Sequence, residues 1–222
     1  MPMPSICLYF QVHQPRRLKP YSCFEIGNDH NYFDDAGNEK ILNRVAEKCY
    51  LPANAHMLDL IRKHKGKFKI SFSLSGSLID QLQRYRPDVI ESFQELAATG
   101  CVEFLCETYY HSLSAQYSTA EFARQVRKHH AKIVSLFNQS PVTFRNTELI
   151  YDNNIATAVA AMGYAGILAE GVADTLQQRN VGHVYHTHDH AVKCLLRNHD
   201  LSDHIAFRFA RDKASRSAAV FV

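Results

Sequence analysis

The residues of this chain best suited to chemistry are carboxylates and imidazoles that follow short apolar runs. Residues 141–151 read PVTFRNTELIY, a β-branched run that ends in a polar turn carrying Glu148, and Asp152 then opens an apolar helical stretch. In α/β proteins the end of a strand is where catalytic groups lie. Glu148 is therefore a candidate nucleophile or acid. The alternative is a carboxylate favoured at a helix start by the helix dipole.

Similar groups follow or lie in other predicted strands. His13 comes after the first strand, Glu103 lies in the third, and Asp203 leads into the last candidate strand. In a barrel such strand ends converge on one face. Two carboxylates in one mouth suit glycoside hydrolysis, in which one attacks the anomeric carbon and the other, kept protonated, donates to the leaving oxygen.

Each of these residues also has a structural interpretation. Asp203 would suit a helix N-cap or a turn. His13 would serve as a loop histidine whose ring bonds to a backbone carbonyl. Glu103 alternates with apolar neighbours and would point into the barrel, where a carboxylate needs an ion-pair partner.

Strand and helix patterns alternate along the chain. Strands are predicted at residues 6–12, 68–74, 101–106, 142–144, 165–169, 192–196 and 205–209, and helices at 41–65, 87–99, 118–138 and 154–162, with a loop at 27–38. Strands separated by helices indicate a mainly parallel sheet, either a barrel or an open doubly wound sheet. The sequence has no G-x-G-x-x-G or Walker A motif, which disfavours the nucleotide-binding open sheet, so a barrel is preferred.

The composition is that of a globular protein with one large core. The chain has 222 residues, of which 46% are hydrophobic and 21% charged, and its net charge is +3. The scattered Lys and Arg residues give no nucleic-acid footprint. Six cysteines without a C-x-x-C pair predict reduced thiols and a cytoplasmic location. The sequence shows no signal peptide and no apolar stretch of membrane-spanning length, so no membrane partner is expected.

Four ordered segments together resemble the first four signature regions of glycoside hydrolase family 57, the α-amylase and 4-α-glucanotransferase family. They read HQP at 13–15, GCVEF at 100–104, FRNTEL at 144–149 and LSDHIAFRF at 201–209. One tripeptide would be weak evidence, but four segments in the family's order, spanning residues 5 to about 210, are specific.

The resemblance implies an α/β fold, an incomplete (β/α)7 TIM-like barrel over residues 1–210. It implies action on an α-glucan or maltooligosaccharide with retention of configuration. The family's nucleophile falls on Glu148 and its acid/base on Asp203, while His13 and Glu103 line the sugar-binding subsite. We expect no cofactor and no bound metal.

Two further residues, Tyr110 and His111, lie just beyond the second motif and are predicted to bind substrate. The sequence also departs from the family. The fifth motif lies downstream of the fourth, in a part that this chain does not have, and residues 211–222 do not resemble the usual continuation. The chain also has no tryptophan, so stacking on sugar falls to Tyr or Phe. We therefore expect a barrel truncated at its C-terminus and followed by an atypical tail.

The sequence leaves three questions about the function open. Hydrolysis and transglycosylation share the same glycosyl-enzyme. A metal-dependent polysaccharide deacetylase needs an Asp and two His spaced about four apart; His186 and His190 have that spacing without an evident aspartate at a strand end. A truncated, non-catalytic chain would keep the sugar-facing loops, bind glucan weakly and expose sheet edges.

Overall fold

The computed structural model describes residues 5–172, 176–177 and 179–209. It shows an α/β chain that forms two compact units, Met1–Pro141 and Val142–Val222. The predicted atypical tail, residues 211–222, lies outside the described residues. Within the described part, no helix is both long enough and apolar enough to cross a membrane.

The first unit contains a parallel sheet interleaved with helices. Its strands are β1 (Tyr9–Val12), β2 (Ile70–Leu74) and β3 (Val102–Phe104), and its helices are α1 (Asp35–Val45), α2 (Leu51–Lys63), α3 (Gly76–Tyr85), α4 (Pro87–Ala98), α5 (Ser114–Tyr117) and α6 (Thr119–Phe137), with a 3-10 turn at Cys23–Glu25. The strand order β1-β2-β3 follows the chain, and both pairs are parallel. Three parallel strands in chain order occur in β/α barrels and also in each half of a doubly wound sheet.

One face of this sheet is polar. Tyr9, Ser71 and Glu103 lie side by side across the three strands, and Gln11 pairs with Ser73 two residues further on. Because successive strand residues point to opposite sides, these five residues share one face. That face carries hydrogen-bonding groups in place of the apolar side chains of a packed interior.

The opposite face packs on helices and forms the core of the first unit. Phe72 meets Phe93 of α4 edge to face at 5.3 Å between ring centroids. Phe104 stacks on Phe137 of α6 at 4.0 Å. Such aromatic pairs contribute about 0.5–1.5 kcal/mol beyond the burial of their area. The sheet is therefore fixed to its helices from one side, and its polar side is left for other contacts.

Helices α1 and α2 are joined by a π-helical turn, Ala46–Tyr50. Pro52 follows that turn and has no N–H to donate to a carbonyl in the preceding turn. In the wider turn the Leu51 N–H reaches the Ala46 carbonyl, five residues back. This lets the helical path continue past the proline, because a π-turn absorbs one extra residue.

The second unit contains a mixed sheet. Its strands are β4 (Thr143–Arg145), β5 (Gly166–Glu170), β6 (Val184–His186) and β7 (Lys193–Arg197), and its helices α7 (Asn153–Ala161) and α8 (His199–Asp203) are described in full, with a 3-10 turn at Thr147–Leu149 and a π-helical turn at His204–Arg208. The strand order is β4-β5-β7-β6, and β6 alone among these strands is antiparallel. The predicted mainly parallel arrangement is therefore confirmed, with one antiparallel strand added.

The structure corrects the predicted strand at residues 205–209. Its alternating apolar residues indicated a strand, but His204–Arg208 is a π-helical turn that continues α8. The cause lies upstream, where the Asn198 side chain accepts a hydrogen bond from the Leu201 N–H and starts the helix. Asp203 therefore lies in a helix and does not lead into a strand.

Two other helical segments were misjudged from sequence. The predicted loop 27–38 contains the start of α1, because the Asp34 carboxylate accepts the Gly37 N–H and caps the helix there. Helix α3 was not predicted. Its cap is Ser75, whose hydroxyl accepts the Leu78 N–H.

Candidate functional site

Glu148 lies in the turn that joins β4 to α7. Glu148 and Leu149 both have positive φ, at 53° and 56°. For a residue other than glycine, this left-handed conformation costs about 1–2 kcal/mol, and such strain collects at functional sites. Glu148 is exposed while Thr147 and Leu149 on either side of it are buried. The turn thus presents one carboxylate to the surroundings and anchors its neighbours in the core.

Asn146 holds this turn in place. Its side-chain Nδ2 donates to the Ile150 carbonyl at 3.0 Å, and its own carbonyl accepts the Leu149 N–H at 3.0 Å. Asn146 is only 2% exposed. Asp152 then caps α7 with its carboxylate. Glu148 therefore stands on a backbone that is fixed from both ends.

Asp203 belongs to a cluster of four charged or titratable side chains, which we call the Arg197 cluster and which comprises Glu170, Arg197, His199 and Asp203. Arg197 donates to Glu170 Oε2 at 3.1 Å and to Asp203 Oδ1 at 2.9 Å. His199 places Nε2 3.2 Å from Asp203 Oδ2 and Nδ1 3.9 Å from Glu170 Oε1. Glu170 and Arg197 are the paired last residues of β5 and β7. The two strand ends and α8 thus bring the four groups together.

The Arg197 cluster is only partly open to solvent. The side chains of Asp203, Glu170 and Arg197 are 22%, 29% and 29% exposed. Glu170 and His199 line an open cleft of about 490 Å³ beside the cluster. Partial burial strengthens charge-assisted hydrogen bonds relative to surface ion pairs. Glu170 and Arg197 were missed from sequence, although Glu170 follows directly on the predicted strand 165–169.

In the first unit the structure brings two predicted residues together. The rings of His13 and His111 stack with 4.2 Å between centroids. His13 Nδ1 lies 2.6 Å from the Ser75 hydroxyl, the N-cap of α3. His111 has a positive φ of 53°. Both imidazoles are therefore held in fixed orientations at the carboxyl ends of β1 and β3.

Glu107 supports this histidine pair and was not among the predicted site residues. Its Oε2 lies 3.5 Å from His111 Nδ1, and its side chain is fully buried. Gln11 adds its amide at 3.3 Å from the same ring nitrogen. Glu107 follows directly on the predicted strand 101–106, which is the signal that could have found it, but the sequence does not show its burial.

Glu103 and Tyr110 fare differently. Glu103 lies half-buried on the polar face of the sheet, and its Oε1 is buried without a hydrogen bond from any described residue. The Tyr110 hydroxyl accepts a hydrogen bond from Lys128 of α6, whose ammonium lies 4.6 Å from the ring centroid. A cation so placed occupies one ring face. Glu103 is thus a half-buried carboxylate on the polar sheet face, while Tyr110 leaves less ring surface for a ligand.

His186 and His190, the pair with the spacing of metal ligands, lie close to each other. The ring centroids of His186 and His190 are 5.7 Å apart. Within residues 5–172, 176–177 and 179–209, no group of three His, Cys, Asp or Glu side chains is placed to hold a metal ion.

The fold and the carboxylates at its strand ends are those of an α/β protein. Comparison with known proteins identifies the family within this class. The sequence profile described as glycosyl hydrolase family 57 matches residues 7–222. The chain belongs to this family.

Two curated relatives are called α-amylases. A Methanocaldococcus jannaschii protein named "Putative alpha-amylase" is 38% identical over 214 residues, which is 93% of this chain and 44% of that protein. Alpha-amylase 1 of Dictyoglomus thermophilum is 21% identical over 141 residues, 64% of this chain and 20% of that protein. The chain thus spans less than half the length of either relative.

Solved structures share the fold at low sequence identity. The 4-alpha-glucanotransferase from Thermococcus litoralis matches 96% of this chain and 30% of its own with a TM-score of 0.69 at 13% identity. The GH57-type branching enzyme from Pyrococcus horikoshii matches 89% of this chain and 48% of its own with a TM-score of 0.65 at 13% identity. A structure titled putative polysaccharide deacetylase, from Mycobacterium smegmatis, reaches 0.52 over 67% of this chain and 46% of its own at 13% identity. At such identities the likeness concerns the fold alone.

Proposed function

We propose that this chain supplies the catalytic part of a retaining enzyme that acts on α-glucans, as a hydrolase or a 4-α-glucanotransferase. Glu148 attacks the anomeric carbon and forms a covalent glycosyl-enzyme. Asp203 protonates the leaving oxygen and then deprotonates water or an acceptor sugar. Family membership supports the reaction class, and the two relatives named as α-amylases support the substrate class.

The single observation that carries this proposal is the geometry of the Glu148 turn. An exposed carboxylate stands at the carboxyl end of β4 on two consecutive left-handed residues. A solvated helix-start carboxylate needs no such strain. A nucleophile does benefit from it, since attack requires that the reacting oxygen be held in one orientation before substrate arrives.

The setting of Asp203 supports a role that alternates between acid and base. Both of its oxygens face donors, Arg197 at 2.9 Å and His199 at 3.2 Å. As the acid of the first step Asp203 must carry a proton, and Arg197 then still has Glu170 as a partner at 3.1 Å.

His13, His111 and Glu103 are the proposed sugar contacts of the first unit. Two stacked imidazoles fixed by Ser75 and Glu107, and a carboxylate on the polar sheet face, are groups that bind sugar hydroxyls by hydrogen bonds. Tyr110 stays a weaker candidate because Lys128 lies over its ring.

We propose the incomplete (β/α)7 barrel that the family resemblance implies. The chain-order arrangement β1-β2-β3 and the parallel run β4-β5-β7 support this proposal. The TM-score of 0.69 to the glucanotransferase supports it as well. All six cysteines are free thiols, which supports the proposed cytoplasmic location.

The test is cleavage of a chromogenic maltooligosaccharide by the intact protein. We expect Glu148→Gln to reduce turnover by about a thousandfold or more, because the glycosyl-enzyme cannot form, while the far-UV spectrum stays unchanged. Glu91→Gln, which alters an exposed carboxylate on α4, is the matched control. Unchanged cleavage by Glu148→Gln would overturn the assignment.

Two further measurements refine the mechanism. The anomeric configuration of the first-formed product, followed by NMR, should be that of the substrate. In a substrate-analogue complex, a Glu148–Asp203 carboxyl separation of roughly 5–5.5 Å supports retention, and one of about 6.5–9.5 Å contradicts it. The ratio of released glucose to lengthened glucan separates hydrolysis from transfer.

A further inference from the structure

We propose that Arg197 is a positioning residue for Asp203, and that Glu170 keeps Arg197 in place while Asp203 gains and loses its proton. The inference rests on the proposed acid/base role of Asp203. It assigns functions to two residues outside the four motifs that carry the family resemblance.

The Arg197 guanidinium bridges two carboxylates. Its Nη1 donates to Glu170 Oε2 at 3.1 Å, and its Nη2 donates to Asp203 Oδ1 at 2.9 Å. One rigid, planar cation thus bridges two carboxylates through separate nitrogens. Arg197 and Glu170 face each other across the parallel ladder of β5 and β7, so the strand register sets the position of the bridge.

The charges of the cluster balance differently in the two protonation states of Asp203. With Asp203 ionised, two carboxylates share one guanidinium. With Asp203 protonated, Glu170 alone balances Arg197. A partly buried arginine left without any carboxylate would be strongly unfavourable. Glu170 therefore lets Asp203 change protonation state without releasing the residue that orients it.

The groups that face Asp203 come from β7, from β5 and from its own helix. Arg197 contacts it from β7, Glu170 acts from β5 through Arg197, and His199 of α8 contacts its second oxygen at 3.2 Å. The His199 side chain is 58% exposed, so its influence is screened more strongly. Arg197 and Glu170 are accordingly the dominant pair.

This arrangement predicts opposite effects from two substitutions. Arg197→Gln removes the cation and leaves the Glu170 charge near Asp203, so Asp203 holds its proton to higher pH. Glu170→Gln leaves the whole guanidinium charge to Asp203, so Asp203 loses its proton at lower pH. Opposite and like charges at such distances move a carboxyl titration by about one pH unit or more. A merely structural role predicts no such reversal.

The experiment measures kcat/KM for a chromogenic maltooligosaccharide against pH in the intact protein. The basic limb reports the acid that must be protonated in the free enzyme. We expect it to move up by about one pH unit in Arg197→Gln and down by about one in Glu170→Gln. Arg197→Lys, which keeps the charge, should keep the limb near its original position. Asp200→Asn is the control, since Asp200 is an exposed carboxylate on the same helix and lies outside the cluster.

A second readout does not depend on activity. Carboxyl-carbon NMR titration of Asp203, assigned through Asp203→Asn, should shift in the same two directions. Suppose that both variants cleave the substrate and that neither the basic limb nor the Asp203 titration moves. This result overturns the positioning role and leaves the proposed function intact. If Asp203 titrates as expected but Glu148→Gln cleaves normally, the proposed function fails, and the catalytic meaning of the cluster fails with it.

Discussion

Gly76 lies directly against the ring of Tyr109. A Cβ placed on Gly76 would come within 2.5 Å of two ring carbons. The ring cannot yield easily, because Tyr109 is 1% exposed and its hydroxyl donates to Asp80 Oδ1 at 2.6 Å. This contact joins the start of α3 to the segment that follows β3, and the Ser75 cap beside Gly76 also holds His13.

We therefore expect Gly76→Ala to lower the free energy of unfolding by about 1–3 kcal/mol, since overpacking displaces a rigid buried ring. Urea denaturation followed by circular dichroism measures the change. Gly166→Ala is the matched control, because its nearest neighbours, atoms of Thr143, lie at an ordinary 3.5 Å. Equal stability of Gly76→Ala and the parent protein would contradict the packing argument.

His129 gives the fold a pH dependence of known sign. Its ring is fully buried, with Nε2 donating to the Leu74 carbonyl at 2.7 Å and Nδ1 accepting the Glu107 N–H at 3.3 Å. Burial lowers the pKa of His129 below its ordinary value of 6.5, with a smaller opposing effect from the Glu107 carboxylate. Above about pH 6.5 neither the folded nor the unfolded chain binds a proton at His129, so this residue does not lower the free energy of unfolding. Below that value only the unfolded chain binds it, so stability falls as the pH falls.

The expected loss is about 1.4 kcal/mol for each pH unit over which only the unfolded chain is protonated at this residue. In His129→Gln, which keeps a donor and an acceptor, this component should vanish. Denaturation curves at about pH 8 and about pH 5 for both proteins give the difference. His56→Gln, at an exposed position of α2, should keep the parent's pH dependence. The same slope in His129→Gln and the parent would refute the assignment.

The elements that sequence predicted well are those fixed by local rules. Helix α6 (Thr119–Phe137) matches the helix predicted at residues 118–138: the Ser118 hydroxyl caps its start by accepting the Glu121 N–H, and Asn138 ends it in the left-handed conformation. The strands were found because β-branched and apolar runs alternate with these helices. The turn at Glu148 was likewise predicted correctly, because a strand pattern is followed there by polar residues.

Other features depend on groups that are remote in sequence. Arg197 meets Glu170 only because β5 and β7 pair in one particular register. In the sequence Glu107 has the features of an ordinary polar loop residue, and only the fold buries its side chain next to His111. Register and burial are tertiary properties, and a linear pattern does not contain them.

The error at residues 205–209 has a local cause. The apolar alternation there is typical of a strand, but the nearby Asn198 cap starts a helix that continues into these residues.

The strain at Glu148 predicts a trade between stability and activity. Asparagine tolerates the left-handed conformation better than glutamine or glutamate, because its short side chain bonds locally. Glu148→Asn should therefore raise the free energy of unfolding by about 1 kcal/mol, while Glu148→Gln should change it little. Both variants lose the proposed nucleophile and its turnover. Denaturant unfolding of the two variants side by side isolates the backbone effect, and equal stabilities would show that the turn is not strained.

Asn146 should control how firmly that turn is held. Asn146→Ala removes the Nδ2 donor to the Ile150 carbonyl. We expect the amides of Leu149 and Ile150, which bond within the turn, to exchange their hydrogens about fivefold faster, because one net hydrogen bond contributes about 1 kcal/mol.

Activity should respond to the same change. If the turn positions the nucleophile, kcat of the intact protein for a chromogenic maltooligosaccharide should fall about 10–100-fold in Asn146→Ala with a smaller change in KM. Thr157→Ala serves as the control, since Thr157 on α7 also donates a side-chain hydrogen bond to a backbone carbonyl at 3.0 Å but lies outside the turn. Unaltered exchange at Leu149 and Ile150 would show that Asn146 does not hold Glu148. Faster exchange with unaltered kcat would show that the turn does not position the reacting carboxylate.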